Sequence, residues 1–122
     1  MGLDRKVAPN PYDYLPPVPD FDVSSQDVVG GAMLGLTYVH GSAGGANESP
    51  HLAWFGAPPG TRSYAVTCFD PDAPTPAGFW HWCVVDIPAS ITQMPRGAGS
   101  SDAALPGGFH LKTDYGTAEY GG

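Results

Sequence analysis

Glycine and proline set the strongest limit on what this chain can fold into. The sequence has 17 glycines and 14 prolines among 122 residues, and they fall between short apolar runs along its whole length. Proline removes a backbone donor and clashes in a helix interior, and glycine is costly there, so this pattern excludes a bundle of long helices. Short strands joined by many turns are compatible with it. We therefore expect a loop-rich, all-β domain.

The composition favours a folded domain over a disordered segment. Only 14% of the residues are charged, whereas 42% are hydrophobic and 11% are aromatic. A disordered segment usually shows the reverse. The length is enough for one domain. We interpret residues 1–20, which contain five prolines, as an N-terminal arm and residues 21–122 as part of a single domain.

The charge balance excludes two classes of partner. Five basic residues stand against twelve acidic ones, giving a net charge of -7. Nucleic-acid binding needs a basic surface that neutralises phosphates, and attraction to an anionic membrane needs one too. The longest run without a charged side chain, residues 28–47, is interrupted by glycines and polar residues, so we expect no membrane insertion.

The cysteines and the N-terminal sequence indicate the compartment. Cys68 and Cys83 are too few for a disulfide framework, and no apolar signal sequence is visible. We expect a cytoplasmic protein in which both cysteines are buried free thiols. Phosphate-cradling and dinucleotide-binding glycine motifs are missing as well, so we predict no cofactor.

Two longer strands are the clearest elements. Residues 63–70 and 79–87 alternate along their length, and the first is apolar on both faces, which is typical of a central strand. Shorter strands are expected at 21–23, 33–39, 49–54 and 109–115.

The segment from Asp70 to Pro74 ends the first of these strands. Its two prolines fix φ and restrict the residues before them, so the Asp70 carboxylate is held in place, as a binding site needs. The Ala73–Pro74 bond is a candidate cis peptide. The alternative is a tight turn whose aspartates only cap backbone N–H groups.

His81, between two tryptophans on the next strand, is the second candidate. If the strands pair across the proline loop so that Asp70 lies opposite His81, Cys68 lies opposite Cys83. Asp70 and His81 then form a small polar pocket in an apolar rim. A carboxylate beside the imidazole favours the cation, which can hold an anion. The alternative is a buried, hydrogen-bonded core histidine.

Other chemistries have weaker support. A metal site could use Asp70, Asp72 and His81, but no second histidine lies at ligand spacing, and we predict no metal. A hydrolase could use Asp70 and His81 as an acid–base pair, but the sequence offers no nucleophile beside them. We expect the other histidines, His40, His51 and His110, on the surface or in loops.

The residues from Asp70 to Pro74, followed by Trp80-His81-Trp82, resemble the first signature of the phosphatidylethanolamine-binding protein family, in particular its bacterial Raf-kinase-inhibitor-like branch. Further matches follow in the family's order and cover nearly the whole chain: Gly44-Gly45, residues 49–54, residues 105–108 and residues 113–116.

The resemblance implies an antiparallel β-sandwich with a small pocket for phosphate-like head groups or other oxyanions. It implies a binding protein without catalytic residues, in some members an inhibitor of kinases or proteases or a scaffold. By position, Asp70 and His81 match pocket residues, and Ala73, Pro74, Phe79 and Trp80 match the pocket wall. A protein-interaction surface that the pocket only modulates is compatible with the same resemblance.

The resemblance stops at Gly122. Family members continue after a similar Tyr-Gly-Gly into a second signature, which contains His-Arg-Tyr and completes the pocket. Residues 21–122 therefore correspond to the N-terminal two-thirds of a family domain, incomplete at the C-terminus. We expect marginal stability and weak ligand affinity of these residues alone.

Overall fold

The computed structural model describes residues 7–122, which form two three-stranded antiparallel sheets. The first sheet has the order β1-β2-β5 and the second the order β3-β4-β6. The all-β, antiparallel prediction is confirmed. The strands are β1 (Asp22–Ser24), β2 (Leu52–Phe55), β3 (Ser63–Asp70), β4 (Phe79–Pro88), β5 (Gln93–Met94) and β6 (Phe109–His110).

The helical elements of the described residues are single 3₁₀ turns, and none of them is long and apolar enough to cross a membrane. They lie at Pro11–Tyr14, Leu36–Tyr38, Gly41–Ala43, Ala98–Ser100 and Asp102–Ala104. The strand expected at 33–39 is wrong, because the chain turns there: the Tyr38 N–H donates to the Gly35 carbonyl at 3.1 Å. The turn puts the Tyr38 side chain in the interior and leaves Leu36 exposed.

The core lies between the two sheets. Trp54 and Met94 of the first sheet pack with Trp82, Val84 and Ile87 of the second. Burial of such large apolar side chains, at roughly 25 cal/mol per Å² removed from water, is the main force holding the sheets together. Ala98 and Tyr120 complete the buried cluster from the loops.

The register of β3 and β4 differs from the prediction. The expected pairing holds at the far end, where Ser63 faces Pro88, but it slips by one residue at each of two bulges. The first bulge contains Asp86, at φ 57°, and the second contains His81. A bulge adds one residue to one strand and shifts the faces beyond it. Asp70 therefore lies opposite Phe79, not His81, and Cys68 lies opposite Trp82, not Cys83.

Strand β3 is an edge strand of the described chain, not a central one. Its hydrogen-bonded neighbour is β4 alone, and most of its residues are partly or well exposed. Cys68 is exposed and Cys83 half-buried, so both thiols are free as predicted but neither is fully buried. Apolar residues on both faces of β3 predicted a central strand, but the structure covers this apolar surface only in part.

A backbone hydrogen bond joins the described part of the arm to the domain. Ala8 is buried, and its N–H donates to the Pro71 carbonyl at 3.0 Å. The arm's larger apolar side chains, Tyr12, Tyr14, Leu15 and Val18, remain exposed. The peptide bonds of the described residues are all trans, so Ala73–Pro74 is not cis. The trans form is also the intrinsically favoured one for such bonds.

Candidate functional site

The Asp70 carboxylate is fixed at the end of β3. Its Oδ1 atom accepts a hydrogen bond from the Asp72 N–H at 2.9 Å, the local bond by which an aspartate shapes a turn. Its Oδ2 atom lies 3.5 Å from the Nε2 atom of His81. The side chain of Asp70 is 42% exposed and that of His81 is 16% exposed. The structure thus brings the two predicted residues together.

The bulge in β4 explains why the pair forms in spite of the shifted register. His81 is the extra residue of the bulge and has no partner on β3. Its neighbour along β4, Phe79, lies opposite Asp70. Diagonal neighbours across two strands are within reach of long or aromatic side chains. A bulge also re-aims a side chain, which here directs the His81 ring toward Asp70.

The ring of His81 is oriented by the C-terminal segment. Its Nδ1 atom lies 2.6 Å from the Gly121 carbonyl oxygen, and the Gly121 N–H donates to the His81 carbonyl at 3.0 Å. A carbonyl oxygen can only accept, so Nδ1 carries a proton and donates it. The other ring nitrogen, Nε2, is left to face Asp70.

Aromatic rings form one wall of the site. The ring centroid of Phe79 lies 4.9 Å from that of His81 and 4.7 Å from that of Tyr115, and the His40 ring stacks on Tyr115 at 4.8 Å. Burial raises the pKa of the Tyr115 hydroxyl, and the nearby charge of Asp70 adds to the shift. That hydroxyl stays protonated and donates to the Gly122 carbonyl at 3.1 Å.

The other predicted wall residues are Trp80, Ala73 and Pro74. Trp80 packs on Phe69 at 4.5 Å and lines a cleft of about 460 Å³ with residues 7–12 of the arm. Ala73 is half-buried and Pro74 exposed, both in the loop that follows Asp70. Phe79, also of the predicted wall, contacts the His81 ring.

Sequence reasoning missed Tyr115 and Gly121 as site residues. Both lie in segments that entered the argument only through the family resemblance, and neither carries a signal of its own. A glycine carbonyl is chemically the same at every position, and a tyrosine near the end of the chain has no distinctive spacing from His81. Only the fold brings them to the ring.

His110 is buried, which contradicts its expected place on the surface or in a loop. The Trp82 indole N–H donates to His110 Nε2 at 3.0 Å, and His110 Nδ1 lies 2.8 Å from Asp102 Oδ1. Since an indole can only donate, Nε2 accepts and Nδ1 donates, so the ring is neutral. The hydrogen bonds from the His110 backbone and ring hold the pKa of Asp102 below its usual value.

A second ion pair lies at another cleft. Arg96 donates to Asp27 through Nη2 at 2.6 Å and through Nε at 3.2 Å, and the His51 N–H donates to the same carboxylate at 2.7 Å. The Arg96 guanidinium and the His51 N–H together lower the pKa of Asp27 to about 2. The cleft, of about 530 Å³, also includes Gln26 and Gln93.

A metal centre has no support in residues 7–122, where no three side chains of the types His, Cys, Asp and Glu lie together as a ligand set. The pair of Asp70 and His81 alone provides one carboxylate oxygen and one ring nitrogen.

Comparison with known proteins identifies the family of this chain. The sequence model described as phosphatidylethanolamine-binding protein matches residues 24–122. The chain belongs to the phosphatidylethanolamine-binding protein family. The match includes both strands of the site and the segment that holds the His81 ring.

Bacterial members of the family are similar to this chain. The UPF0098 protein YbcL of Escherichia coli K12 is 46% identical over 84% of this chain and 58% of its own length. The UPF0098 protein YbhB of the same organism is 46% identical over 80% of this chain and 64% of its own. The chain thus spans about three fifths of the length of these two relatives.

Solved structures agree with this assignment. The crystal structure of Escherichia coli YbcL, described as a new member of the mammalian family, superposes with a TM-score of 0.80 at 44% identity, over 85% of this chain and 66% of that one. A homologue from Chlamydia trachomatis, CT736, superposes with a TM-score of 0.69 at 20% identity, over 82% of this chain and 62% of that one. The latter shows the shared fold.

Proposed function

We propose that the protein is a non-enzymatic binding protein whose pocket takes a phosphate-like oxyanion, such as a phospholipid head group. The observation that carries the proposal is the Asp70–His81 pair, with Nε2 of His81 3.5 Å from the carboxylate. The protonated ring donates Nε2–H to a ligand oxygen, and Phe79 and Tyr115 supply the apolar rim that such sites usually have.

The oriented ring supports this proposal further. A site holds its ligand well when its polar groups are fixed beforehand, because less order is lost on binding. His81 is fixed by Gly121 and Asp70 by the Asp72 N–H. The protein's own hydrogen bonds therefore hold both polar groups of the pocket.

Hydrolysis with Asp70 and His81 as an acid–base pair has less support. The recorded polar contacts of the His81 side chain, among the described residues, are the Gly121 carbonyl and the Asp70 carboxylate. Nucleophilic catalysis needs a hydroxyl or thiol within hydrogen-bond reach of the base. We therefore propose binding without catalysis, in the cytoplasm, where free thiols persist.

The partner class follows from the family resemblance. A kinase or a protease is the partner to test, with the pocket or its surroundings as the contact surface. Asp70→Ala separates the two roles, since a surface that only contacts a protein tolerates the loss of one carboxylate and an oxyanion site does not.

A titration with inorganic phosphate, measured by isothermal calorimetry, tests the pocket. His81→Phe keeps the ring packing on Phe79 and removes both nitrogens, so we expect affinity to fall about tenfold or more. His51→Phe is the matched control, because it removes a half-buried imidazole that contacts Gln26 and Gln93 instead. Equal phosphate affinity of the two variants would contradict the proposal, and circular dichroism checks that both remain folded.

A further inference from the structure

The backbone segment that orients the His81 ring is itself held by a side chain. Gly121 bonds to His81 through both its carbonyl and its N–H. The Asn47 side chain contacts the residues on either side of Gly121. Its Oδ1 atom accepts from the Gly122 N–H at 2.8 Å, and its Nδ2 atom makes a longer contact of 3.5 Å with the Tyr120 carbonyl oxygen. Asn47 therefore holds both chain neighbours of the glycine that holds the ring.

The position of the Asn47 side chain is fixed by its own backbone. Its φ of 56° lies in the left-handed region, which asparagine tolerates better than most residues. The Asn47 N–H donates to the Val39 carbonyl at 2.9 Å, and the Glu48 N–H donates to the Thr37 carbonyl at 2.9 Å. These two bonds tie the backbone on which the side chain stands. The amide of Asn47 thus meets residues 120–122 from a defined place.

The bond to Gly121 decides which ring nitrogen of His81 gains and loses a proton. A carbonyl oxygen can only accept, so Nδ1 carries a proton in the neutral ring and in the cation alike. Nε2, which lies 3.5 Å from the Asp70 carboxylate, is then the nitrogen that titrates. If the Gly121 carbonyl moved away, the neutral ring could carry its proton on Nε2 instead.

We propose that Asn47 is a positioning residue of the pocket, which keeps the His81 proton on Nδ1 and Nε2 facing Asp70 by holding the residues on both sides of Gly121. For ligand binding this role rests on the proposed function, since a ring fixed beforehand loses less order when a ligand binds. The effect of Asn47 on the ring proton needs no ligand.

Four substitutions separate this role from a general effect on folding. Asn47→Gly removes the amide without straining the backbone, because glycine adopts a positive φ freely. Asn47→Ser, whose side chain is one bond too short, removes the same contacts if the glycine variant fails to fold. Asn47→Asp is the rescue variant, because it keeps an oxygen for the Gly122 N–H and tolerates the left-handed region. Asn10→Gly is the matched control, at a side chain that accepts from the Tyr12 N–H in the arm.

The first measurement is the ¹⁵N NMR spectrum of the His81 ring in the full chain without ligand, at a pH at which that ring is neutral. We expect the proton on Nδ1 in the wild type, in Asn47→Asp and in Asn10→Gly. In Asn47→Gly and Asn47→Ser we expect a large share of it on Nε2. The His110 ring signals and circular dichroism show whether each variant is folded.

The second measurement is the affinity for inorganic phosphate, determined by calorimetry, which we expect to be about threefold to tenfold weaker in Asn47→Gly than in the wild type or Asn10→Gly. A folded Asn47→Gly or Asn47→Ser whose ring proton stays on Nδ1 overturns the inference. Loss of the Nδ1 proton in Asn47→Asp, or unchanged phosphate affinity in a variant whose proton has moved, overturns it as well. No phosphate binding by the wild type overturns the proposed function instead, and the ring spectra then decide the role of Asn47 by themselves.

Discussion

The Nδ1 atom of His81 lies 2.6 Å from the carbonyl oxygen of Gly121, forty residues further along the chain. This bond fixes which ring nitrogen carries the proton, and with it the chemistry that His81 can offer to a ligand. The site is therefore built by two distant parts of the sequence. The strand β4 supplies the ring, and the segment 120–122 sets its orientation.

Support for this segment comes from Gly99. The Tyr120 N–H donates to the Gly99 carbonyl at 2.8 Å, and a Cβ atom added at Gly99 would lie 2.4 Å from Cβ of Tyr120 and 2.9 Å from the Ser49 side chain. Gly99→Ala should thus push Tyr120 outward, destabilise the fold by roughly 1–3 kcal/mol and weaken phosphate binding through Gly121. Urea unfolding and phosphate titration measure the two effects.

Gly30→Ala is the control for this prediction. An added Cβ at Gly30 meets nothing within 4 Å, and the position has no positive φ. We expect unchanged phosphate affinity and unchanged or slightly higher stability there. The account of the segment would fail if Gly99→Ala bound phosphate as tightly as Gly30→Ala.

The buried histidine gives a second prediction. His110→Leu removes the acceptor of the Trp82 indole N–H and leaves that donor buried without a partner, so the free energy of unfolding should drop by roughly 1–3 kcal/mol. Trp82→Phe in the same background removes the orphaned donor. The double variant should then lose less stability in urea unfolding than the sum of the two single changes. Strict additivity would show that the bond contributes nothing.

The Asp27–Arg96 pair gives a prediction about how stability changes at acid pH. The pKa of Asp27 in the folded protein is about 2, below its ordinary value of 3.8, so the unfolded chain binds this proton first. The resulting contribution to stability is complete above about pH 4 and is lost as the pH falls toward about 2. Asp27→Asn should therefore be less stable than the wild type at pH 7 and lose less stability between pH 4 and pH 2.

Unfolding midpoints in urea across this pH range measure the effect. Asp20→Asn, at an exposed position, serves as the control and should follow the wild type. A difference between the wild type and Asp27→Asn that stays constant from pH 4 to pH 2 would contradict the prediction.

The sequence predicted strand positions well where the alternation was long. The bounds of β3 agree with the expected 63–70, and β4 extends one residue beyond the expected 79–87. The register was less predictable, because a β-bulge cannot be recognised from the alternation of apolar residues alone. It becomes visible only when the structure shows which residues share a face. Trp82 and Val84 are buried together with Ile87, which strict alternation places on the opposite face.

The candidate site was partly predictable for a related reason. Asp70 and His81 were identified by a rigid proline frame and a histidine at the start of the following strand, and they do meet. The prediction reached the right pair through the wrong register, since a bulge and a diagonal contact replace direct opposition. Gly121 and Tyr115 act through a backbone carbonyl and ring packing, which depend on the tertiary fold alone.

The most direct test of the anion pocket is the ¹⁵N NMR spectrum of the histidine rings during a titration with inorganic phosphate. We predict that before phosphate is added the His81 ring carries a proton on Nδ1. Its Nε2 signal should then shift as phosphate binds. The His110 signals should stay in place, because that ring is held between Trp82 and Asp102. A His81 spectrum that does not respond to saturating phosphate would contradict the account.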